Sequence, residues 1–428
     1  MPNQFRNPSN FLELLNTSLL SKIPGAPSKI SLRTSRRWMI FLGYSAKEKS
    51  KGYYVDDHER ADVVAHRGAF LQTMEDIEKK MVYFEGEEME VERYPDGCQS
   101  TEDNHQSADM CVLIVHDEST FNSNECNRVF WLASGTSALF PKSRGRSRMI
   151  SGFMCHCHGF LSDGELKSYS CITPGANNDG YWTNKDLVEQ FEKVVPLFRK
   201  VHPYAKLCFF FDNSQNHHAR APDALCASNL NLSDGGKNVR LMRNTYYFDP
   251  QGARVEQASQ TAAGVQKGVR TYLVERGKWA VGMNLERARA VLDAEPDFQE
   301  DKDKVWLNVI ASKFGNTTII FFPKFHCELN FIEMVWGYIK AVLRKMCTFK
   351  FEDLCKNLDE IVNNIPLAYV RRVNRHCLRF MDGYRKGFKG PILDYIMRKY
   401  RAHRAIPALS NDMISKEFEI WKKKHKKI

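Results

Sequence analysis

No apolar run in this 428-residue chain approaches the roughly 18 residues that suggest a membrane-spanning helix. The first residues, Met1-Pro2-Asn3-Gln4-Phe5-Arg6, lack the apolar core of a signal peptide, so no membrane partner and no export are expected. That makes the glycosylation patterns at Asn16 and Asn231 irrelevant. The twelve cysteines follow no regular spacing, which argues against a disulfide framework and fits free thiols in a reducing compartment. Gly235-Gly236-Lys237 lacks the rest of a phosphate-binding loop and the strand that should precede it. Internal repeats and low-complexity tracts are absent as well.

Net charge is also missing from most of the chain. Residues 371–428 hold 17 Lys/Arg against 5 Asp/Glu, whereas the other 370 residues hold 45 against 46. A polyanion would meet a basic C-terminal end on a near-neutral body. The last stretch, Trp421-Lys422-Lys423-Lys424-His425-Lys426-Lys427, reads as a nuclear localisation signal, and a nuclear protein is expected.

The length suits two or three domains. Residues 9–23 read as a helix capped by Ser9 or Asn10, with Phe11, Leu12, Leu15, Leu19 and Ile23 inward, ended by Pro24-Gly25-Ala26-Pro27. A second helix over 31–42 puts Arg33, Arg36 and Arg37 on one face and Trp38, Phe41 and Leu42 on the other, as in part of a helix-turn-helix unit. A longer helix follows over 58–81, with Val64, Phe70, Leu71, Met74, Ile77 and Met81 inward; residues 84–109 form an acidic surface connection.

From Cys111 the pattern turns to strands. Phe153–Phe160 and Leu166–Ile172 read as a pair joined through Asp163-Gly164. Thr183 caps a helix in which Pro196 implies a kink or an early end. Helical patterns recur near 265–276, 285–292 and 301–314. In the segment Cys155-His156-Cys157-His158 a strand would place the cysteines on one face and the histidines on the other, so the residues read as buried thiols rather than one zinc site.

Three acids stand where strands end. Asp117 closes the apolar run Cys111–His116, Asp212 closes Leu207–Phe211, and Glu333 follows the run Thr317–Phe322 on a helix. The stripe of that helix is Leu329, Ile332, Trp336, Ile339 and Leu343; Glu333 sits at its edge, and Gly337 leaves room beside it. Short apolar runs read as buried central strands. If the strands of Asp117 and Asp212 are parallel neighbours, the three carboxylates converge at one rim of the sheet, a donor set for hard divalent cations. Asn213, His217, His218 and Asn330 stand close in sequence and could orient the ligands.

The words around these acids carry a resemblance. His116-Asp117-Glu118-Ser119-Thr120-Phe121, Phe211-Asp212-Asn213-Ser214-Gln215-Asn216-His217-His218 and the block Phe322–Trp336 resemble the three signatures of DDE-type transposases of the mariner superfamily, in a eukaryotic branch with a long insert before the final Glu. Asp57–Asp62, Gly235–Lys237 and Met381–Lys386 extend it to about residues 30–405. Phe331 stands where the wider superfamily has proline.

The resemblance implies an α/β, RNase H-like mixed five-stranded sheet flanked by helices, and catalytic, metal-binding Asp117, Asp212 and Glu333. It also implies two Mg²⁺ ions, with Mn²⁺ as a substitute, and DNA cleavage and strand transfer on double-stranded DNA, both element ends and target, by a homodimer. The expected layout is a partial helix-turn-helix region over 1–45, a linker and helix over 46–110, and catalytic parts over 111–219 and 301–405. A mainly helical insert would fill 220–300 and a basic tail 406–428. Only the last portion of the family's bipartite end-binding region, closing at Ser35-Arg36-Arg37-Trp38, is expected here. The alternatives are a catalytically silent or host-adopted DNA-binding derivative, and a nuclease without strand transfer.

Overall fold

The computed structural model describes residues 8–48, 57–95, 110–127, 129–133, 141–237, 239–302, 304–400, 406 and 411–425. The chain divides into two compact units, one of residues 1–212 with 320–428 and one of residues 213–319.

The first unit opens with α1 (Pro8–Leu14), continued by a π-turn and a 3₁₀ turn to Lys22, and α2 (Leu32–Phe41), whose N-cap Ser31 accepts from the Thr34 amide. Phe11, Leu15, Leu20 and Met39 form a small core, and the Ser35 hydroxyl donates to Pro8 O at 2.7 Å. The inward side of α2 is therefore Ser35 and Met39. Trp38, Phe41 and Leu42, expected on the face opposite the arginines, are exposed, as are Leu19 and Ile23, expected inward. The rotation is forced at Ser35: its hydrogen bond to Pro8 turns that face toward α1.

β1 (Tyr44–Glu48) precedes α3 (Ala61–Glu78), which buries Val63, Phe70, Leu71, Met74 and Ile77; Val64, expected inward, points out. β2 (Tyr83–Glu85) and β3 (Val91–Arg93) pair as a hairpin inside the stretch expected to be a plain connection. The rest of that expectation, residues 96–109, lies outside the described residues.

The central sheet starts with β4 (Cys111–Asn122). β5 (Val129–Ala133) leaves it to pair with β1. β6 (Ser147–Cys155) returns antiparallel to β4. β7 (Ser162–Asp163) and β8 (Leu166–Lys167) make a tight hairpin through Gly164, whose φ of 60° is the conformation the Asp-Gly pair supplies. β9 (Tyr169–Ile172) then adds to β6. α4 (Asn184–Val201) begins with a capping box between Thr183 and Asp186 and runs through Pro196 without ending there. β10 (Lys206–Phe211) follows and lies parallel to β4.

The second unit contains the hairpin β11 (Thr245–Phe248) and β12 (Arg254–Gln257), and helices α5 (Val269–Glu275), α6 (Leu285–Asp293), α7 (Pro296–Lys302) and α8 (Trp306–Ala311). Leu230, Tyr272, Leu273, Leu292 and Phe298 form its core. The buried Arg276 guanidinium donates to Asp297 and Glu295, so the buried charges are paired.

β13 (Thr317–Phe321) brings the chain back and completes the sheet in the order β13-β10-β4-β6-β9. α9 (Phe331–Lys345), α10 (Phe351–Asn363) and α11 (Leu367–Arg385) bury Trp336, Ile339, Leu358, Val370 and Cys377 in one core with Leu113, Val115, Ile150 and Phe210 of the strands. α12 (Gly390–Lys399) and α13 (Asn411–His425) close the chain. Three sequential antiparallel strands, with the later strands added beyond the first, give the RNase H-like α/β arrangement implied by the motifs. No helix among the described residues is long and apolar enough to cross a membrane.

Candidate active site

The parallel pairing of β10 with β4 sets the site. The register matches Phe210 with Val115, so Asp212 and Asp117, each two residues further on, emerge at the same level of neighbouring strands. This is the condition on which convergence of the two carboxylates depended. A third acid arrives from the first turn of α9 as Glu333, whose amide donates to Asn330 O at 3.2 Å.

Their charges meet. Burial is the first cause that pushes the Asp117 carboxyl well above its ordinary value, and the negative charges of Glu333, Glu118 and Asp212 push it further. Burial by surrounding protein and the charge of Asp212 also raise Glu333, although the residue reaches solvent; Lys340, two turns along α9, opposes them. The fold thus holds the three acids close enough that the charge of Asp212 bears on both Asp117 and Glu333. A hard divalent cation offsets that repulsion and takes oxygen donors by preference, so this donor set fits one.

The side chain that grips Asp117 is Trp336, whose indole Nε1–H donates to Asp117 Oδ2 at 3.0 Å. Trp336 lies one turn beyond Glu333, so α9 delivers both groups. The indole packs edge-on to Phe121 and near Phe160. Gly152, directly across from Asp117 in the β4–β6 register, makes the room. A Cβ there would come within 2.8 Å of Phe160 and 3.3 Å of Trp336. Sequence periodicity placed Trp336 in an apolar stripe, where it does lie, and gave no sign of its polar end. The signal available was that a buried indole N–H needs an acceptor.

Asn330, expected to orient the ligands, donates from Nδ2 to His116 O at 3.2 Å, tying the start of α9 to the peptide preceding Asp117. Its buried Oδ1 has no hydrogen-bond partner among the described residues. His116 is itself buried and belongs to a fixed relay. Gln190 Nε2 donates to the Ser151 carbonyl at 2.9 Å, which orients the amide and leaves Oε1 to accept from Ser151 Oγ at 2.6 Å. The hydroxyl proton is thus committed, and His116 Nε2 must donate to Ser151 Oγ, 2.9 Å away. The expected neighbours Asn213 and His217 belong to the second unit, where His217 is buried and its amide lies 3.4 Å from Ser214 Oγ. His218, in the same unit, is exposed. Gly337 has open space beside it, as expected.

Arg33, Arg36 and Arg37 are exposed along α2. The arginines of α11 are mostly committed within the fold. Arg371 donates to Met89 O and Cys157 O, Arg372 to Glu87 O and Glu88, Arg379 to Tyr400 O, and Arg385 to Glu78. Arg375 and Arg398, with His376, line an open groove between α11 and α12. Four of the basic residues that the composition offers to a polyanion, Arg371, Arg372, Arg379 and Arg385, are therefore held by backbone carbonyls or acids of the same chain.

No family model and no curated protein matches this chain. Among solved structures it is similar to a Mos1 transposase paired-end complex with left transposon end, at 10% identity over 89% of this chain and 78% of that chain, with a TM-score of 0.40. It is likewise similar to mariner Mos1 paired-end complexes with Mg (10% identity, 89% and 79% covered, TM-score 0.39) and with Mn (10%, 91% and 81%, TM-score 0.41).

Proposed function

We propose that this chain is a DDE-type DNA transposase, or a derivative of one, that cuts DNA phosphodiesters with Asp117, Asp212 and Glu333 and joins the freed 3′-hydroxyl to target DNA. The observation that carries the reading is the convergence of three mutually repelling carboxylates at one rim of the sheet. The motifs around them, which resemble those of the mariner superfamily, point the same way.

Asp117 and Asp212 would share divalent cations, Mg²⁺ first and Mn²⁺ as a substitute, with Glu333 completing the set; such ions supply Lewis-acid stabilisation of charge and lower the pKa of a bound water. The chain's own part is positional. Trp336 holds Asp117 by one carboxylate oxygen, Oδ2, and so limits the freedom of its side chain. Asn330 holds α9 against β4, so Glu333 keeps its place relative to Asp117. The Ser151–Gln190 relay anchors His116, and with it the strand end that carries Asp117. Such support keeps a site within the tolerance that phosphoryl transfer needs.

Exposed Arg33, Arg36 and Arg37 are the side chains proposed to contact DNA phosphates, in a nuclear protein acting on double-stranded DNA as a homodimer. The test is nicking and joining of supercoiled DNA by the purified chain with Mg²⁺ or Mn²⁺, beside Asp117→Asn. Cleavage by the wild type alone supports the reading. Equal cleavage by both proteins defeats the site assignment, duplex binding without cleavage under either metal selects a silent DNA-binding derivative, and nicking without joined products selects a plain nuclease.

A further inference from the structure

β6 ends at Cys155, and the next three residues form a turn rather than more strand. Gly159, at φ 74°, closes the turn: Cys155 and Gly159 exchange amide–carbonyl hydrogen bonds at 3.1 and 2.9 Å. The strand alternation that would separate these cysteines and histidines therefore does not apply. His158 folds back toward Cys155, with Nδ1 3.8 Å from Sγ, and the His158 amide points at the same sulfur from 3.3 Å. A third donor comes from elsewhere in the unit. His202 follows the last turn of α4, fully buried, with its ring centroid 5.0 Å from that of His158. One ligand atom from each of Cys155, His158 and His202 lies within 4.8 Å of the others.

We propose that Cys155, His158 and His202 bind a zinc ion, with the neighbouring Cys157 as the fourth donor, and that this site pins the turn after β6 to the end of α4. Thiolate and imidazole are the ligands zinc selects, and closed four-donor sets are the structural kind. With Zn–S about 2.3 Å and Zn–N about 2.0–2.1 Å, tetrahedral bonding spaces sulfur and nitrogen about 3.6 Å apart. The existing Cys155–His158 spacing needs only a few tenths of an ångström of adjustment. Cys157, buried two residues beyond Cys155, has its Sγ 3.6 Å from His156 Nε2 and would turn to complete the set. His156 is not part of the set: its ring nitrogens face Val82 O at 3.0 Å and Leu113 O at 3.5 Å. The site takes soft donors and is separate from the carboxylates, so it stands whether or not the chain cuts DNA.

The test uses the full chain, purified reduced. Elemental analysis should find one zinc per chain in the wild type and equally in Asp117→Asn. After chelation, added Co²⁺ should give a sulfur-to-metal charge-transfer band that Cys155→Ser loses, and His158→Gln should bind Co²⁺ roughly tenfold or more weakly. His158 is partly exposed, so that variant serves if Cys155→Ser does not fold. Absence of zinc together with absence of the cobalt band overturns the proposal, as does a band unchanged in both variants. A Cys155–Cys157 disulfide in metal-free protein kept from oxidants overturns it too.

Discussion

Where β10 ends, the first unit gathers oxygen: Asp212, Asp117 and Glu333, with Asp117 gripped by the Trp336 indole. Where β10 begins, just after α4, the same unit gathers sulfur and imidazole: Cys155, His158 and His202, with buried Cys157 two residues beyond Cys155. The first cluster opens toward solvent through Glu333, whereas Cys155, Cys157 and His202 of the second are buried. An open set of hard donors is suited to exchanging ligands, and a closed set of soft donors to holding the chain in place. On these two proposals one sheet would separate a place for chemistry from a place for stability, and variants at one end should leave the other untouched.

The largest effect expected is on cleavage. Asp117→Asn or Asp212→Asn should lower metal-dependent nicking by at least about 10³-fold while zinc content stays the same. A parallel loss of zinc would mean that the two ends are not independent. Next comes Gly152→Ala. Its Cβ meets Phe160 and Trp336, and the over-packing should cost about 1–3 kcal/mol in denaturant unfolding and weaken cleavage through displacement of Trp336. An unchanged midpoint would show that Phe160 simply moves aside.

Trp336→Phe keeps most of the packing and deletes one hydrogen bond to a carboxylate, worth about 1.5–3 kcal/mol when the group is charged. Losing that donor disfavours the ionised form. Asp117 should therefore titrate higher still, and the acid limb of the cleavage profile should move to higher pH. A limb that stays put would remove Trp336 from the site.

A smaller effect is expected on the metal-free protein. The folded-state pKa of Asp117 is raised, so its contribution is fully present below the unfolded pKa and is lost as pH rises through the folded value. Chelated wild type should thus lose stability between acid and neutral pH relative to Asp117→Asn, and Mg²⁺ should restore it only in the wild type. Thermal unfolding with and without chelator measures this. Replacing Arg36 and Arg37 with alanine should do least, making the salt dependence of DNA binding shallower by about 0.9 for each DNA phosphate that the arginines no longer neutralise.

How far the sequence could be read depended on whether a feature was local. Apolar runs ending in Asp117 and Asp212 announced central strands, and the Asp163-Gly164 turn and the Thr183 cap were legible for the same reason. Features that depend on partners distant in sequence were not. The face of α2 was misjudged because Ser35, a polar residue, is the one that packs against α1. Gly152 mattered only once the register set it opposite Asp117. The Cys155–His158 segment was read as strand, since nothing local reveals that β6 stops at Cys155 or that His202, some forty residues on, returns to it.

The three carboxylates are proposed to form one cation-dependent site for cutting DNA. Single-turnover nicking of supercoiled DNA, measured with Mg²⁺ for the wild type and Asp117→Asn at equal zinc content, tests it most directly. Cleavage by the wild type, abolished by chelator and by the substitution, is the expected result. Cleavage that persists in Asp117→Asn at the wild-type rate would contradict it.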